Sequence, residues 1–248
     1  MVYDNDRKAL IMLSMTEGYK ARRRKFDSVS SPSELYDDYT VADNMIEEMN
    51  RLGVSVMTIL DEDYPPRLKD IYDPPLTLYY KGDRKLLSNN NLLAVVGTRR
   101  VSAYGKNIMQ NFVPAFIRSG LIVVSGLARG VDSIGHNICV EAGAKTIAVV
   151  ANGLDICYPP ENLQLQDKIA QNGTVVSEYP LKTKPLQYHF PERNRIISGL
   201  SNGVFIPEAG DKSGSLITAD DAVDQGRELF VVPGSIFSAQ SVGCNKKI

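Results

Sequence analysis

From residue 92 onward, short apolar runs alternate with segments of helical periodicity. The runs are LLAVVG (92–97), LIVVSG (121–126), TIAVVAN (146–152), TVVSE (174–178), GVFIPEA (203–209) and ELFVVPG (228–234). Each is rich in Val, Ile and Leu and lacks the apolar–polar alternation of a half-exposed strand, so each reads as a strand covered on both faces. Between them, residues 104–119, 131–143, 161–172, 191–201 and 213–226 read as helices. Strand starts recur about every 25 to 30 residues, the spacing of βα units that build a mostly parallel sheet. Right-handed crossovers then put helices on both faces, which predicts a three-layer α/β fold.

The first part of the chain carries a different pattern. Amphipathic stretches at 3–18, 32–38 and 41–52 predict helices, and SPSEL (31–35) sets a serine cap before a proline in the first turn. The basic stretch YKARRRKF (19–26) reads as a solvated helix end. Residues 1–60 are therefore expected to form a small helical domain. In 61–85, EDYPPRLKDIYDPPLTLYYKGD is dense in proline and tyrosine, and Asp-Pro-Pro interrupts any helix. That stretch reads as a connector ending in an edge strand, LTLYY. Residues 86–248 hold the sheet domain.

Composition narrows the class without changing it. A chain of 248 residues with 43% hydrophobic and 23% charged residues can bury a sizeable core. No run of about 18 apolar residues occurs, so no membrane span is expected. The start, MVYDNDRKAL, is acidic and lacks the apolar stretch of a secretory signal. Three widely spaced cysteines suit the reduced thiols of cytoplasm, and with only two histidines and no CxxC pair a zinc site is not expected. A net charge of -1 excludes a uniformly basic coat for nucleic acid but leaves room for a local basic patch.

The candidate chemistry sits where an open parallel sheet binds its ligands, at the carboxyl ends of the strands. Those ends read Gly97-Thr98-Arg99-Arg100, Ser125-Gly126-Leu127-Ala128-Arg129-Gly130, Asn152-Gly153 with Tyr158 to Asn162 beyond, Tyr188 to Arg195, and Glu208 followed by Ser213-Gly214-Ser215. Glycines let a backbone approach a ligand closely, and hydroxyls and helix-start N–H groups donate to phosphate oxygens. Five arginines, Arg99, Arg100, Arg129, Arg193 and Arg195, fall in these loops; Arg100 and Arg195 are expected to point elsewhere. His136 reads as a packing residue, and His189 beside Phe190 as a site candidate that stacks or carries a proton. Tyr104, Tyr158, Tyr188 and Phe190 add flat surfaces, while Tyr179 reads as packing. A cationic groove with stacking surfaces is what a single nucleic-acid strand requires. Neither GxGxxG nor GxxxxGK[ST] is present, which argues against a dinucleotide cofactor and against P-loop phosphoryl transfer.

The motifs VVGTRRVSAYG, SGLARGVDSIGH, ANGLDICYPPEN, SEYPLKTKPLQYHFPERNRIISGLS, EAGDKSGSLITADDAVDQGRE and VPGS occur in this order. Together, from about Tyr64 to the last residue, they resemble the DNA-processing family called DprA or Smf. The resemblance implies an extended Rossmann-like domain that binds single-stranded DNA without cutting it, with no catalytic residue, metal or cofactor. It also implies a cytoplasmic homodimer that protects incoming DNA during natural transformation, loads the recombinase RecA and helps displace single-strand-binding protein. The family's pocket maps onto Gly97, Thr98 and Arg99, the loop containing Ser125, Gly126, Arg129 and Gly130, the pair Arg193 and Asn194, and the turn Ser213, Gly214 and Ser215; Asn162, His189 and Phe190 complete the expected site. Its amino-terminal domain is expected to be of the SAM or helix-hairpin-helix kind. Two departures are visible: Leu163-Gln164-Leu165 stands where some relatives carry a lysine, and the sequence stops at SVGCNKKI, so the winged-helix domain of many relatives is expected to be absent.

An alternative on a related fold is a nucleotide-processing enzyme of the phosphoribohydrolase kind. Such enzymes carry PGGxGTxxE; here Pro207-Glu208-Ala209-Gly210 lacks the glycine pair, leaving Glu208 as a remnant acid. A scaffold without binding activity is a third option.

Overall fold

The computed structural model describes residues 3–248. Eight strands form one sheet: β1 (Ser55–Thr58), β2 (Thr77–Gly82), β3 (Leu92–Val95), β4 (Ile122–Ser125), β5 (Thr146–Val150), β6 (Thr174–Ser177), β7 (Gly203–Ile206) and β8 (Glu228–Val231). The helices are α1 (Asn5–Thr16), α2 (Tyr19–Asp27), α3 (Thr40–Arg51), α4 (Pro66–Lys69), α5 (Ala103–Arg118), α6 (Val131–Glu141), α7 (Leu163–Asn172), α8 (His189–Leu200), α9 (Ser215–Asp224) and α10 (Val242–Asn245).

The strand order is β1-β2-β6-β5-β4-β3-β7-β8. Strands β3 to β8 run parallel to their neighbours, while β1 and β2 add two antiparallel pairings. The α/β class expected from the apolar runs is therefore the observed one, and β3, β5, β6 and β7 are buried along their whole length. From β3 the chain winds outward through β4 and β5 to β6. Helix α8 then carries it back across the sheet to β7, on the other side of β3. That reversal leaves a crevice at the carboxyl ends of β3, β4 and β7, where an open sheet binds its ligands.

Several features depart from the sequence expectation. The ELFVVPG run is not covered on both faces: it forms β8 at the sheet edge, with Glu228 and Phe230 exposed. The LTLYY run is not an edge strand, because β1 pairs with it outside and β6 inside. Strand β1 is only four residues, SVMT, with polar residues at both ends and no alternation over a useful length, so it emerges only once β2 exists to pair with it. The stretch expected to be one helix over 3–18 ends at Thr16, and the basic stretch makes a helix of its own, α2. The helix expected over 32–38 is a single 3₁₀ turn, Pro32–Leu35, opened as expected by Ser31 and Pro32, with the Glu34 carboxylate accepting from the Ser31 N–H at 3.1 Å.

The amino-terminal helices share the core of the sheet. Leu10 and Leu13 of α1 join Met57, Leu78 and Val149, while Ile11 joins Tyr79 and Val175. Their burial makes α1 part of the sheet's cover, and Ser14 Oγ meets the buried Tyr79 hydroxyl at 2.5 Å. A further cluster, around Val95, Met109, Val123 and Phe205, seats α5 and α6 on the sheet face that carries Tyr79 and Val175, opposite the face of Leu78 and Val149. Among the described residues, no helix is long and apolar enough to cross a membrane.

Candidate nucleic-acid interface

The crevice is a cleft of about 780 Å³ walled by four segments. They are the β3 exit (Gly97 to Arg100), the β4 exit with Ala128 and Asp132, the first turns of α8 with Phe190, Arg193 and Asn194, and the β7 exit with Gly210 to Ser215. Backbone contacts knit three of these exits together. The Thr98 N–H donates to the Glu208 carbonyl at 2.8 Å, and the Val131 N–H donates to the Thr98 carbonyl at 3.2 Å. Gly130 has φ +82°, and a Cβ there would run into the Thr98 carbonyl oxygen, so only glycine lets the β4 loop lie against the β3 loop. The Asp132 carboxylate accepts from the N–H groups of Gly126 at 3.1 Å and Ala128 at 3.3 Å, which closes the β4 loop over the start of α6.

Two kinds of arginine face this cleft. Arg99 and Arg100 are exposed on its lip, and the Arg99 guanidinium forms no ion pair among the described residues. Its Cζ lies 5.6 Å from the centre of the Phe190 ring, within cation–π reach. Arg100 was expected to point away; it lines the cleft, because the Thr98 hydroxyl accepts its N–H at 3.1 Å and curls the loop inward. Arg193 is the opposite case, only 4% exposed. Its Nη1 donates to the carbonyls of Gly126, at 2.7 Å, and Val149. A Cβ on Gly126 would stand 2.6 Å from that same nitrogen, so the glycine makes room for the guanidinium to lie flat under the β4 loop. Burial lowers the Arg193 pKa to about 10, with the nearby Asp132 carboxylate working against the shift, so the group stays charged at neutral pH. Its Cζ is 6.0 Å from the Phe190 ring centre, so both guanidiniums lie near the same ring.

The remaining expected residues divide. Gly97, Thr98, Asn194, Ser213, Gly214 and Ser215 line the cleft with Arg99, Phe190 and Arg193. The Ser213 and Ser215 hydroxyls lie 2.7 Å apart at the start of α9, whose first turn carries no acidic residue. Asn194 Nδ2 reaches across to the Gly214 carbonyl at 3.4 Å. By contrast, Ser125 is buried and donates to the Val95 carbonyl at 2.6 Å, serving the sheet. Asn162 Nδ2 donates to the Leu127 carbonyl at 2.9 Å and supports a residue held at φ 55°. Arg129 projects outside the cleft into an ion pair with Glu161. His189 is buried, stacked on Tyr179 at 4.1 Å with Nδ1 against the Ala151 carbonyl at 3.2 Å, and burial lowers its pKa. Sequence reading passed over Gln187, Lys212 and Thr218, which also line the cleft. Lys212 had a legible signal, a cation directly before Ser-Gly-Ser at a strand exit.

Glu208, the remnant acid of the enzyme alternative, is buried and fully engaged. Its two oxygens accept from the Ser102 N–H at 2.8 Å and the Ser102 hydroxyl at 2.5 Å, which ties the β7 exit to the start of α5. Gly105 leaves room for this carboxylate, since a Cβ there would stand 2.6 Å from Oε2.

Residues 55–248 match the family model for DNA recombination-mediator protein A. A DNA processing protein DprA of Bacillus subtilis is 42% identical over 91% of this chain and 76% of its own length. The Streptococcus pneumoniae protein of the same name is 45% identical over 77% of the chain and 67% of its own length. The chain spans about half of the longer Smf protein of Escherichia coli, 49%, at 43% identity. Among solved structures, the X-ray structure of Streptococcus pneumoniae DprA superposes with a TM-score of 0.80 over 99% of this chain and 92% of that one, at 35% identity. The Helicobacter pylori protein, whose structure is described as revealing a single-stranded DNA binding mode, gives 0.71 over 78% of this chain and 86% of that one, also at 35% identity. With the family's motifs gathered on one rim of a matching fold, this chain belongs to the DNA recombination-mediator protein A family, the DprA/Smf proteins.

Proposed function

We propose that this protein grips single-stranded DNA in the cleft at the carboxyl ends of β3, β4 and β7, without cutting it. The observation that carries the reading is the Arg99–Phe190 pair: an exposed guanidinium with no carboxylate partner, set over an aromatic ring on the lip of the cleft. Arg99 holds a backbone phosphate, Arg193 and Lys212 add positive potential behind it, and the hydroxyls of Ser213 and Ser215 donate at the start of α9. Phe190 offers a face to a base that only an unpaired strand can present. The single-stranded DNA mode described for the Helicobacter pylori relative supports this reading.

A non-catalytic role fits the same site. Glu208 is buried and ties the β7 exit to Ser102 through both oxygens, a structural use that supports this reading. As a recombination mediator of the kind its family description names, the protein acts as a cytoplasmic homodimer that hands the strand to the recombinase RecA and displaces single-strand-binding protein during transformation and recombination.

The test is fluorescence anisotropy with labelled oligo-dT across a salt series, with duplex as competitor. Wild type is expected to prefer the single strand. Arg99→Ala is expected to bind at least tenfold more weakly, with a salt slope shallower by about 0.7, the value of one phosphate contact on a single strand. A folded wild type that holds oligo-dT no better than duplex overturns the reading.

A further inference from the structure

We propose that the buried pair Arg195–Glu178 is a positioning device for the cleft: it sets the rotation of α8 about its own axis and so aims Arg193 and Asn194. Arg195 Nη2 donates to both oxygens of the Glu178 carboxylate, at 2.9 and 2.7 Å. The two residues are 9% and 3% exposed. Glu178 directly follows β6, so the carboxylate belongs to the rigid rim of the sheet.

Helix geometry gives the pair its leverage. Successive residues turn by about 100°, so Arg193 and Arg195 project about 200° apart, on opposite sides of α8. Arg193 is caught by the carbonyls of Gly126 and Val149 at the ends of β4 and β5. Arg195 is caught by the carboxylate at the end of β6. Ile196, Ile197 and Leu200 seat the later turns of α8 on the core, and the two tethers on opposite sides add a directional hold on the rotation of its first turns. Asn194, between them, is left with its amide directed across the cleft to the Gly214 carbonyl. Two lesser ties agree with this setting: the Tyr179 hydroxyl donates to Glu192 at 2.7 Å, and Gln225 Nε2 of the residue after α9 donates to the Arg195 carbonyl at 3.1 Å.

A buried ion pair is a poor way to add stability, because desolvating two charges consumes most of their attraction, and well-packed apolar residues do as well. What an apolar pair lacks is direction. One nitrogen donating to both oxygens of a carboxylate constrains how Arg195 approaches Glu178, whereas two methionines pack in several ways. Direction is therefore what this pair contributes, and it is delivered to the two neighbours that face the cleft.

This inference rests on the cleft being the DNA site, and its test separates the two. Wild type, Glu178→Met/Arg195→Met and the shape-conserving Glu178→Gln are compared by thermal melting and by oligo-dT anisotropy, each also carrying Asn194→Ala or Arg99→Ala. The apolar pair is expected to melt close to wild type yet bind about tenfold more weakly, and Glu178→Gln to bind several-fold more weakly. In both, Asn194→Ala is expected to cost less than in wild type, because its amide is already misaimed, while Arg99→Ala on its separate loop costs the same. Simple additivity with Asn194→Ala, or affinity equal to wild type in either variant, overturns the proposal. If the apolar pair does not fold, the Glu178→Gln series decides alone. A wild type that binds no oligo-dT overturns the DNA reading and takes this inference with it; one that binds while the variants bind equally overturns this inference only.

Discussion

The β3 exit and the first turns of α8 each bring two arginines to one rim, and the two pairs live by different rules. Arg99 and Arg100 stand in water on the lip of the cleft, held by backbone turns, with the Arg99 guanidinium set over Phe190. Arg193 and Arg195 are buried and committed, one to carbonyl oxygens and the other to a carboxylate. An exposed cation costs the fold nothing and is free to meet a ligand. A buried one is stable only with partners that offset its desolvation, so it becomes structure first. The same residue type thus supplies both the hand and the wrist.

The largest effect that tests this contrast is on stability, not binding. Arg193→Ala strips the Gly126 and Val149 carbonyls of their donor and leaves the buried Asp132 without its nearest cation. Removing one partner of a buried charged network costs about 3–5 kcal/mol, so urea midpoints fall and Tm drops by roughly 10 °C. A melt unchanged from wild type breaks the comparison, because Arg193 would then behave like Arg99.

Acid comes next. Burial pushes His136 down to about 3, so it stays neutral in the fold under mildly acidic conditions, and burial also lowers His189, the first residue of α8. The unfolded chain protonates its histidines near pH 6.5, so it takes up more protons as pH falls below that point. Stability is therefore complete above about pH 6.5 and lost on acidification, by up to about 1.4 kcal/mol per pH unit for His136. Urea titrations at pH 7 and pH 5 measure the loss, and His136→Asn is expected to flatten it. Both histidines lie off the lip of the cleft, so oligo-dT binding by the still-folded fraction is expected to hold.

The smallest effect belongs to Arg129, an exposed arginine that already has a partner. Its ion pair with Glu161 lies in water, outside the cleft. Arg129→Ala is expected to leave Tm unchanged and to weaken oligo-dT binding far less than Arg99→Ala. A loss as large as that of Arg99→Ala would move the strand's path out over the β4 loop.

Legibility followed the same division. Five of the six apolar runs announced parallel strands because a strand covered on both faces needs no partner to be recognised; the sixth, ELFVVPG, became the half-exposed edge strand β8. SVMT gave no such sign, since four residues become β1 only beside β2. The rim was legible as a place, for strand exits converge whatever their sequence. Which residues on it reach the cleft was not. Ser125, Asn162 and His189 carry the right chemistry, but their partners, the carbonyls of Val95, Leu127 and Ala151, lie far off in the chain. Arg193 and Arg99 differ only in burial, which no local pattern encodes.

The fastening of α8 has a consequence in time. A wall already held by the ends of β4, β5 and β6 has no ordering left to complete when a strand arrives as proposed. Arrival is then governed by diffusion and charge, and cations standing on the lip can raise an association rate from about 10⁵–10⁶ to as much as about 10⁸ M⁻¹ s⁻¹ at low salt. Salt acts on how often a strand lands, and the residues around α8 act on how long it stays.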